Sequence, residues 1–383
     1  MFAGTSEGPG PKSARVGGEQ GGITVMGTPE RRELPHNQSK YMVPPTGFEP
    51  VAHGLEGRCS IQLSYGSVVA VYGILVRTAI SRGHIYGGSV RHFSDELLSA
   101  VADFGAAACV GVDPHLHLLP DELRVKFEGK HGKVWRNGAV TAAREFSLGA
   151  LDALDGLIPV VKPQVAFFEA LGSGGVAVLE EVVAAARAKG MVVVLDAKRG
   201  DIGSTAEAYA KATLDEIGPM NAHSVTLSPY MGAESLSPLL ARAPSKGLWI
   251  LLRTSNPGAE EWQLGGSEPI AEKVAQWVYE TNASMLGKQG LGPVGVVVGA
   301  TLPHVEVAKW RAMLPNAWFL VPGFGAQGAG MKDVEAHFRA DGTGALVVSA
   351  RGILFGKGNT NGPDWRDGIR HRAKAMVQAV RSR

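Results

Sequence analysis

From Phe93 onward the chain alternates between short apolar runs and longer amphipathic stretches. The runs fall at 106–112, 158–162, 191–195, 224–227, 248–252, 294–298, 318–321 and 345–348. Each has the length of a strand. Between most of them lie helix-compatible segments such as 176–189, where Gly190 suits a C-cap. Strand-length runs alternating with helices predict parallel βαβ units. Eight such units within residues 92–383 fit a (β/α)8 barrel better than an open sheet. Several runs pass directly into polar or glycine-rich residues, which in a barrel form the C-terminal mouth where active sites lie.

The first ninety residues lack this pattern. They hold eight Lys/Arg, six Glu and no Asp, the first aspartate being Asp95. Segments such as 17–22 (G-G-E-Q-G-G) and 44–47 (P-P-T-G) have neither a helical nor a strand period. Residues 1–91 are therefore expected to be a disordered or mis-annotated extension, with the barrel domain at 92–383. Gly47-Phe48-Glu49-Pro50 is encodable by GGN-TTY-GAR-CCN, which contains the GTTCGA-type sequence of a tRNA gene's T-arm. A start codon placed too far upstream, through a neighbouring tRNA gene, would explain it. No methionine lies between Met42 and Met191, so a start near the barrel would use a non-ATG codon, for instance at Val90.

Composition narrows the function classes. Lys+Arg is 38 and Asp+Glu 36, a net charge of +2 that supports no chain-wide grip on nucleic acid or anionic lipid. With 45% hydrophobic and 19% charged residues, the chain is core-forming. Its two cysteines, Cys59 and Cys109, exclude a disulfide framework and a thiolate metal cluster. The longest uncharged apolar run, 68–76, is too short to span a bilayer. A cytoplasmic globular protein is expected. There is no G-x-S-x-G elbow and no H-E-x-x-H, so serine-hydrolase and zincin chemistry lack support. His115, His117 and His131 share no metal-ligand spacing and are expected at the surface.

The densest chemistry lies at 192–202, V-V-V-L-D-A-K-R-G-D-I. Apolar residues lead into charges, placing Asp196 and Lys198 at a strand end and, with a period of two, on one side towards the mouth. Asp201 follows Gly200, which is expected to let the chain turn. Lys162 ends the preceding run, and beside Asp196 it completes an alternating Lys-Asp-Lys-Asp array. Asp113 ends the first run (G-V-D-P-H, 111–115) and suits sugar hydroxyls, or equally a turn or helix cap. In 321–328, V-P-G-F-G-A-Q-G, the G-x-G-x-x-G spacing reads best as a phosphate cradle of backbone amides plus a helix N-terminus. Arg351 follows the eighth run, and phosphate sites after strands seven and eight recur in this fold. Residues 254–258, T-S-N-P-G, are polar enough for a lid.

Taken together these residues resemble the orotidine 5'-phosphate decarboxylase family, most closely its bacterial type 2 subfamily, over residues 93–375. The most specific matches are D-A-K-R-G-D-I at 196–202, V-G-V-D-P-H at 110–115 and K-P-Q-V-A-F-F-E at 162–169. Less specific are T-S-N-P-G at 254–258, P-G-F-G-A-Q-G at 322–328 and S-A-R-G-I at 349–353. The resemblance implies conversion of orotidine 5'-phosphate to UMP and CO2 with no metal or organic cofactor. It implies Lys198 as proton donor to C6, Asp196 beside the substrate carboxylate, and Lys162 on the ribose and orienting Asp196. Asp201, Ile202 and Thr205 would reach into a neighbouring subunit's site, implying a homodimer. Asp113 would bind ribose and Ser255 the base, with Pro322 lining the substrate and Gln327 and Arg351 at the phosphate.

Two other readings compete. Sugar-phosphate lyases or synthases of the same suprafamily share D-x-K-x-x-D but use Mg²⁺ and typically carry an acid where this chain has Lys162. A non-catalytic phosphoribosyl-binding barrel would keep Gln327 and Arg351 but lose part of the charged array.

Overall fold

The computed structural model describes residues 91–128, 135–325, 328–356 and 364–381. Eight parallel strands close into a barrel in sequence order, β8 returning to pair with β1. They are β1 (Ala108–Val112), β2 (Val160–Pro163), β3 (Val192–Arg199), β4 (Ser224–Leu227), β5 (Gly247–Arg253), β6 (Val294–Val298), β7 (Phe319–Pro322) and β8 (Ala345–Ser349). Every expected strand is present. Parallel strands are covered on both faces, which is why they read as near-continuous apolar runs.

Two packed layers hold the barrel. Outward residues such as Val110, Val161, Val193, Ile250 and Val296 join the helices in one continuous core. Inward residues fill the lumen, among them Cys109, Val160, Val194, Trp249, Trp318, Leu346 and Val348. The helix Phe93–Phe104 closes the floor, its Phe93 ring standing edge-on to Trp249 with centroids 6.1 Å apart. A Cβ on Gly247 would lie 2.3 Å from that Phe93 ring, so the first residue of β5 must be glycine for the plug to seat. The His92 side chain accepts from the Ser94 amide at this helix's start, and Gly105 at φ +61° ends it.

The helical layer is uneven. Long helices cover β1, β2 and β8: Arg136–Leu154, Ser173–Ala188 and Trp365–Arg381. The second begins earlier than expected and ends as expected, with Gly190 at φ +73° just beyond it. After β4 and β7 the helices are short: Ser237–Leu240, continuing the 3-10 turn Ala233–Leu236, and Met331–Val334, running into the 3-10 turn Glu335–His337. Those two units therefore leave more of the barrel rim to loops.

β3 is the longest strand and carries the charges past the rim. Its pairing with β4 runs Leu195↔Val225 and resumes at Arg199↔Leu227. Three residues of β3, Asp196, Ala197 and Lys198, thus oppose the single residue Thr226. This bulge sits beneath the mouth, where bulges commonly re-aim side chains.

Candidate active site

Asp196 is the hub of the mouth. Its Oδ2 accepts from Lys162 Nζ at 2.5 Å and from Gln164 Nε2 at 3.0 Å. Its Oδ1 accepts from Lys198 Nζ at 2.6 Å and from Thr226 Oγ1 at 2.9 Å. Four donors saturate one carboxylate. Asp196 and Lys162 are each only 6% exposed, whereas the Lys198 side chain is 44% exposed. One ammonium group is fixed in the wall and the other opens onto the mouth.

Burial alone would push the Asp196 carboxyl up, but the Lys162 and Lys198 ammonium groups outweigh it and hold the acid well below the usual carboxylate range. Burial likewise opposes the charge on Lys162, yet Asp196 and Asp113 outweigh it and raise its pKa above the ordinary lysine value. Removing one member of such a buried pair leaves an uncompensated charge, at a cost of roughly 3–5 kcal/mol.

Backbone strain accompanies this geometry. Lys198 adopts φ +46°, the left-handed region, at a cost on the order of 1–3 kcal/mol for a non-glycine residue. The expected period of two places Asp196 and Lys198 on one side, and the pair is indeed joined. The route differs, because Lys198 is aimed by the bulge and not by simple alternation. β3 ends immediately before Gly200, and the left-handed backbone falls on Lys198 and on Gly203 at φ +53°. Gly200 has a different use: a Cβ there would approach the Ser228 carbonyl to 3.1 Å.

Asp113 lies at the end of β1, 9% exposed, with Oδ1 buried and without a hydrogen-bond partner. It caps no helix. Burial pushes its carboxyl up, Asp196 adds to this, and the nearby Lys162 and Lys198 pull it back only in part. Asp201 stands outside the Lys162–Asp196–Lys198 cluster; its Oδ1 accepts from the Ile202 amide at 2.8 Å. The expected four-member array is thus three members within one chain. Ile202 and Thr205 are exposed beside it.

Around the rim, Ser255 is exposed in the loop after β5, and Thr254 is tied to Gln263, which accepts from its amide at 2.9 Å. Pro322 ends β7 opposite Val348. Gly323 and Gly325 follow at φ +116° and +76°, and the Cβ position of Gly325 lies 3.7 Å from Ser349 Oγ. This brings the glycine loop beside β8 and the exposed Arg351 that opens the turn Arg351–Leu354. Gln327 lies outside the described residues. The helix N-terminus expected to complete the phosphate cradle is absent in that role. Met331–Val334 is a single turn, and the Gly330 amide before it donates to Asp333 Oδ2 at 2.7 Å. Among the described residues, the amides left for a cradle are those of the glycine loop and of the turn Arg351–Leu354 beside it.

The histidines depart from expectation in part. His117 is exposed, but the His115 ring is half-buried against Phe167, centroids 4.2 Å apart, and burial lowers its pKa. His131 lies outside the described residues. Gln164 and Thr226 are the polar residues that the sequence reading did not single out. Gln164 stands two residues beyond Lys162, and Thr226 lies inside the run 224–227, so no charge at a run's end marked either of them.

Comparison with known proteins follows the same lines. Residues 140–360 match the family described as orotidine 5'-phosphate decarboxylase / HUMPS. The chain is 39% identical over 293 residues to the orotidine 5'-phosphate decarboxylase of Rhodopirellula baltica, covering 73% of this chain and 95% of that protein. It is 40% identical over 253 residues to that of Deinococcus radiodurans, covering 65% and 84%. Among solved structures, the OMP decarboxylase of Leishmania donovani superposes with a TM-score of 0.58 at 34% identity, covering 76% of this chain and 98% of that one.

Proposed function

The chain belongs to the orotidine 5'-phosphate decarboxylase / HUMPS family, and from that membership we propose that its barrel mouth converts orotidine 5'-phosphate to UMP and CO2, the last step of de novo UMP synthesis. The observation that carries this reading is Asp196 held between a buried Lys162 and a half-exposed Lys198. Breaking the bond from C6 to the carboxylate leaves the electron pair on C6, a carbanion with little delocalisation. Lys198 supplies positive charge beside that carbon and then the proton that quenches it, and the neutral amine recovers a proton from water. A preorganised ammonium contributes several of the roughly 20 kcal/mol that the most difficult reactions demand. Asp196 faces the departing carboxylate, and Lys162 keeps Asp196 ionised while reaching the ribose.

The other roles follow position by position. Asp113, with its free carboxylate oxygen, takes ribose hydroxyls. Ser255 meets the base, Pro322 lines the substrate, and Gln327 and Arg351 hold the phosphate with the glycine loop. Binding energy from the phosphate, remote from C6, is available to close the loops over the base.

The Mg²⁺-dependent branch of the family fits this site less well. Asp196 already accepts four hydrogen bonds, and the Lys162 ammonium occupies the place where that branch typically carries an acid. The reaction is accordingly proposed to need no metal or organic cofactor. A homodimer is proposed as the active form, with Asp201, Ile202 and Thr205 completing the partner's site. An exposed apolar surface by the mouth supports it: Ile202 is 53% exposed, and Tyr230 packs on Trp262 with both rings largely in solvent. The barrel domain is proposed to run from 92 to 383. Among the described residues no helix is long and apolar enough to cross a membrane, and a cytoplasmic location is proposed with it.

The test is loss of ultraviolet absorbance from orotidine 5'-phosphate, with and without EDTA. Turnover that survives EDTA is expected. Turnover that requires Mg²⁺ points to the sugar-phosphate branch, and binding without turnover to a non-catalytic barrel.

A further inference from the structure

The three-residue bulge of β3 needs something on β4 to hold it. Between Leu195↔Val225 and Arg199↔Leu227 the ladder is interrupted, and only Thr226 faces the gap. Lys198, turned to φ +46°, has lifted its amide out of register. That N–H donates to Thr226 Oγ1 at 2.9 Å, a side-chain oxygen standing in for the missing ladder carbonyl. The same hydroxyl donates its own hydrogen to Asp196 Oδ1, also at 2.9 Å. The regular pairing resumes immediately, the Ser228 amide donating to the Arg199 carbonyl at 2.8 Å.

We propose that Thr226 is a positioning residue for the decarboxylation: its hydroxyl clamps the Lys198 backbone and the Asp196 carboxylate in one hydrogen-bonded relay, fixing the angle at which the Lys198 ammonium enters the mouth. This rests on the reaction assigned above. Thr226 is 1% exposed, so water does not substitute for it. A hydroxyl is the group the gap requires, because it accepts from one neighbour and donates to the other at once. Valine has the same shape and can do neither. It would leave the Lys198 amide buried without an acceptor and remove one of the four donors on Asp196. The left-handed turn then loses the bond that holds it, and Nζ swings away from the reacting carbon. Because Nζ reaches the mouth through this turn, the effect is expected on the chemical step more than on binding.

The experiment compares the full chain with Thr226→Val and Thr226→Ser, measuring kcat and KM for orotidine 5'-phosphate together with circular dichroism. The valine variant should lose roughly tenfold to a hundredfold in kcat, the scale of a misplaced catalytic group, with KM changed far less. The serine variant, which restores the hydroxyl without the methyl, should recover most of the rate. Parental kcat in a folded valine variant overturns the proposal, as does a serine variant impaired as badly as valine. If the valine variant does not fold, Thr226→Ala takes its place with the same expectations. An unsubstituted chain inert toward orotidine 5'-phosphate would instead overturn the assigned reaction and the positioning role with it.

Discussion

Burial disfavours a negative charge on Asp113, and one of its carboxylate oxygens lacks a partner. Its carboxyl is raised in the folded chain, so its contribution to stability is full below the unfolded value near pH 4 and is lost as pH rises through the folded value. Above that folded value the ionised group costs stability, which is the usual trade at a binding site. Replacing it with asparagine should raise the melting temperature. The same change should raise KM for orotidine 5'-phosphate by roughly tenfold or more, as expected for a lost hydrogen bond to a charged group. Calorimetry and steady-state kinetics on Asp113→Asn check both, and a lowered melting temperature with unchanged KM would contradict them. Asp196 behaves oppositely: its carboxyl is depressed, so its contribution is present above the unfolded value and disappears only in strong acid. Asp196, Lys198, Lys162 and Asp113 were legible because each charge interrupts or ends an apolar run. Gln164 and Thr226 were not, since an uncharged polar residue in that position is compatible with an ordinary strand end.

At the level of elements, the eight strands were legible because parallel barrel strands must be apolar on both faces. The bulge in β3 was hidden. It depends on how Leu195 and Arg199 register against Val225 and Leu227, and pairing register leaves no mark in one strand's own pattern. The length of the helix after β7 was equally hidden, and with it the fate of the expected phosphate cradle. That region contains a titrating anchor, the 3-10 turn Glu335–His337, whose buried His337 Nε2 meets the Gly299 carbonyl at 3.2 Å. Burial pushes this imidazole down to about 4. The folded chain thus keeps it neutral, while the unfolded chain takes up a proton below roughly pH 6.5. The stability it contributes is present above that value and is lost between it and about pH 4. The loss is at most about 1.4 kcal/mol per pH unit. Urea unfolding at pH 7 and pH 5 should therefore show a larger acid loss in the parent than in His337→Asn. Equal losses would show that His337 is not the group responsible.

For the whole molecule, near-neutral net charge concealed a concentrated site: three of its charges meet within hydrogen-bonding distance at one end of the barrel. Charge summed over the chain carries no information about such clustering. Assembly is tested by mixing Lys198→Ala with Asp201→Asn, each inactive alone if Asp201 serves the partner's site. Random re-association makes half of the dimers mixed, and each mixed dimer regains one intact site, so about a quarter of parental activity should return. No recovery would place both residues in the same chain's site or rule out the dimer. The reaction itself rests on the Lys198 ammonium. Its side chain is 44% exposed, and without it Asp196 still accepts from Lys162, Gln164 and Thr226, so the barrel has little reason to unfold. The most direct measurement is kcat of Lys198→Ala on orotidine 5'-phosphate beside its thermal unfolding. Turnover should fall by at least about a thousandfold, the equivalent of losing some 4 kcal/mol of transition-state stabilisation, with the unfolding transition intact. A folded Lys198→Ala enzyme with near-parental kcat would contradict it.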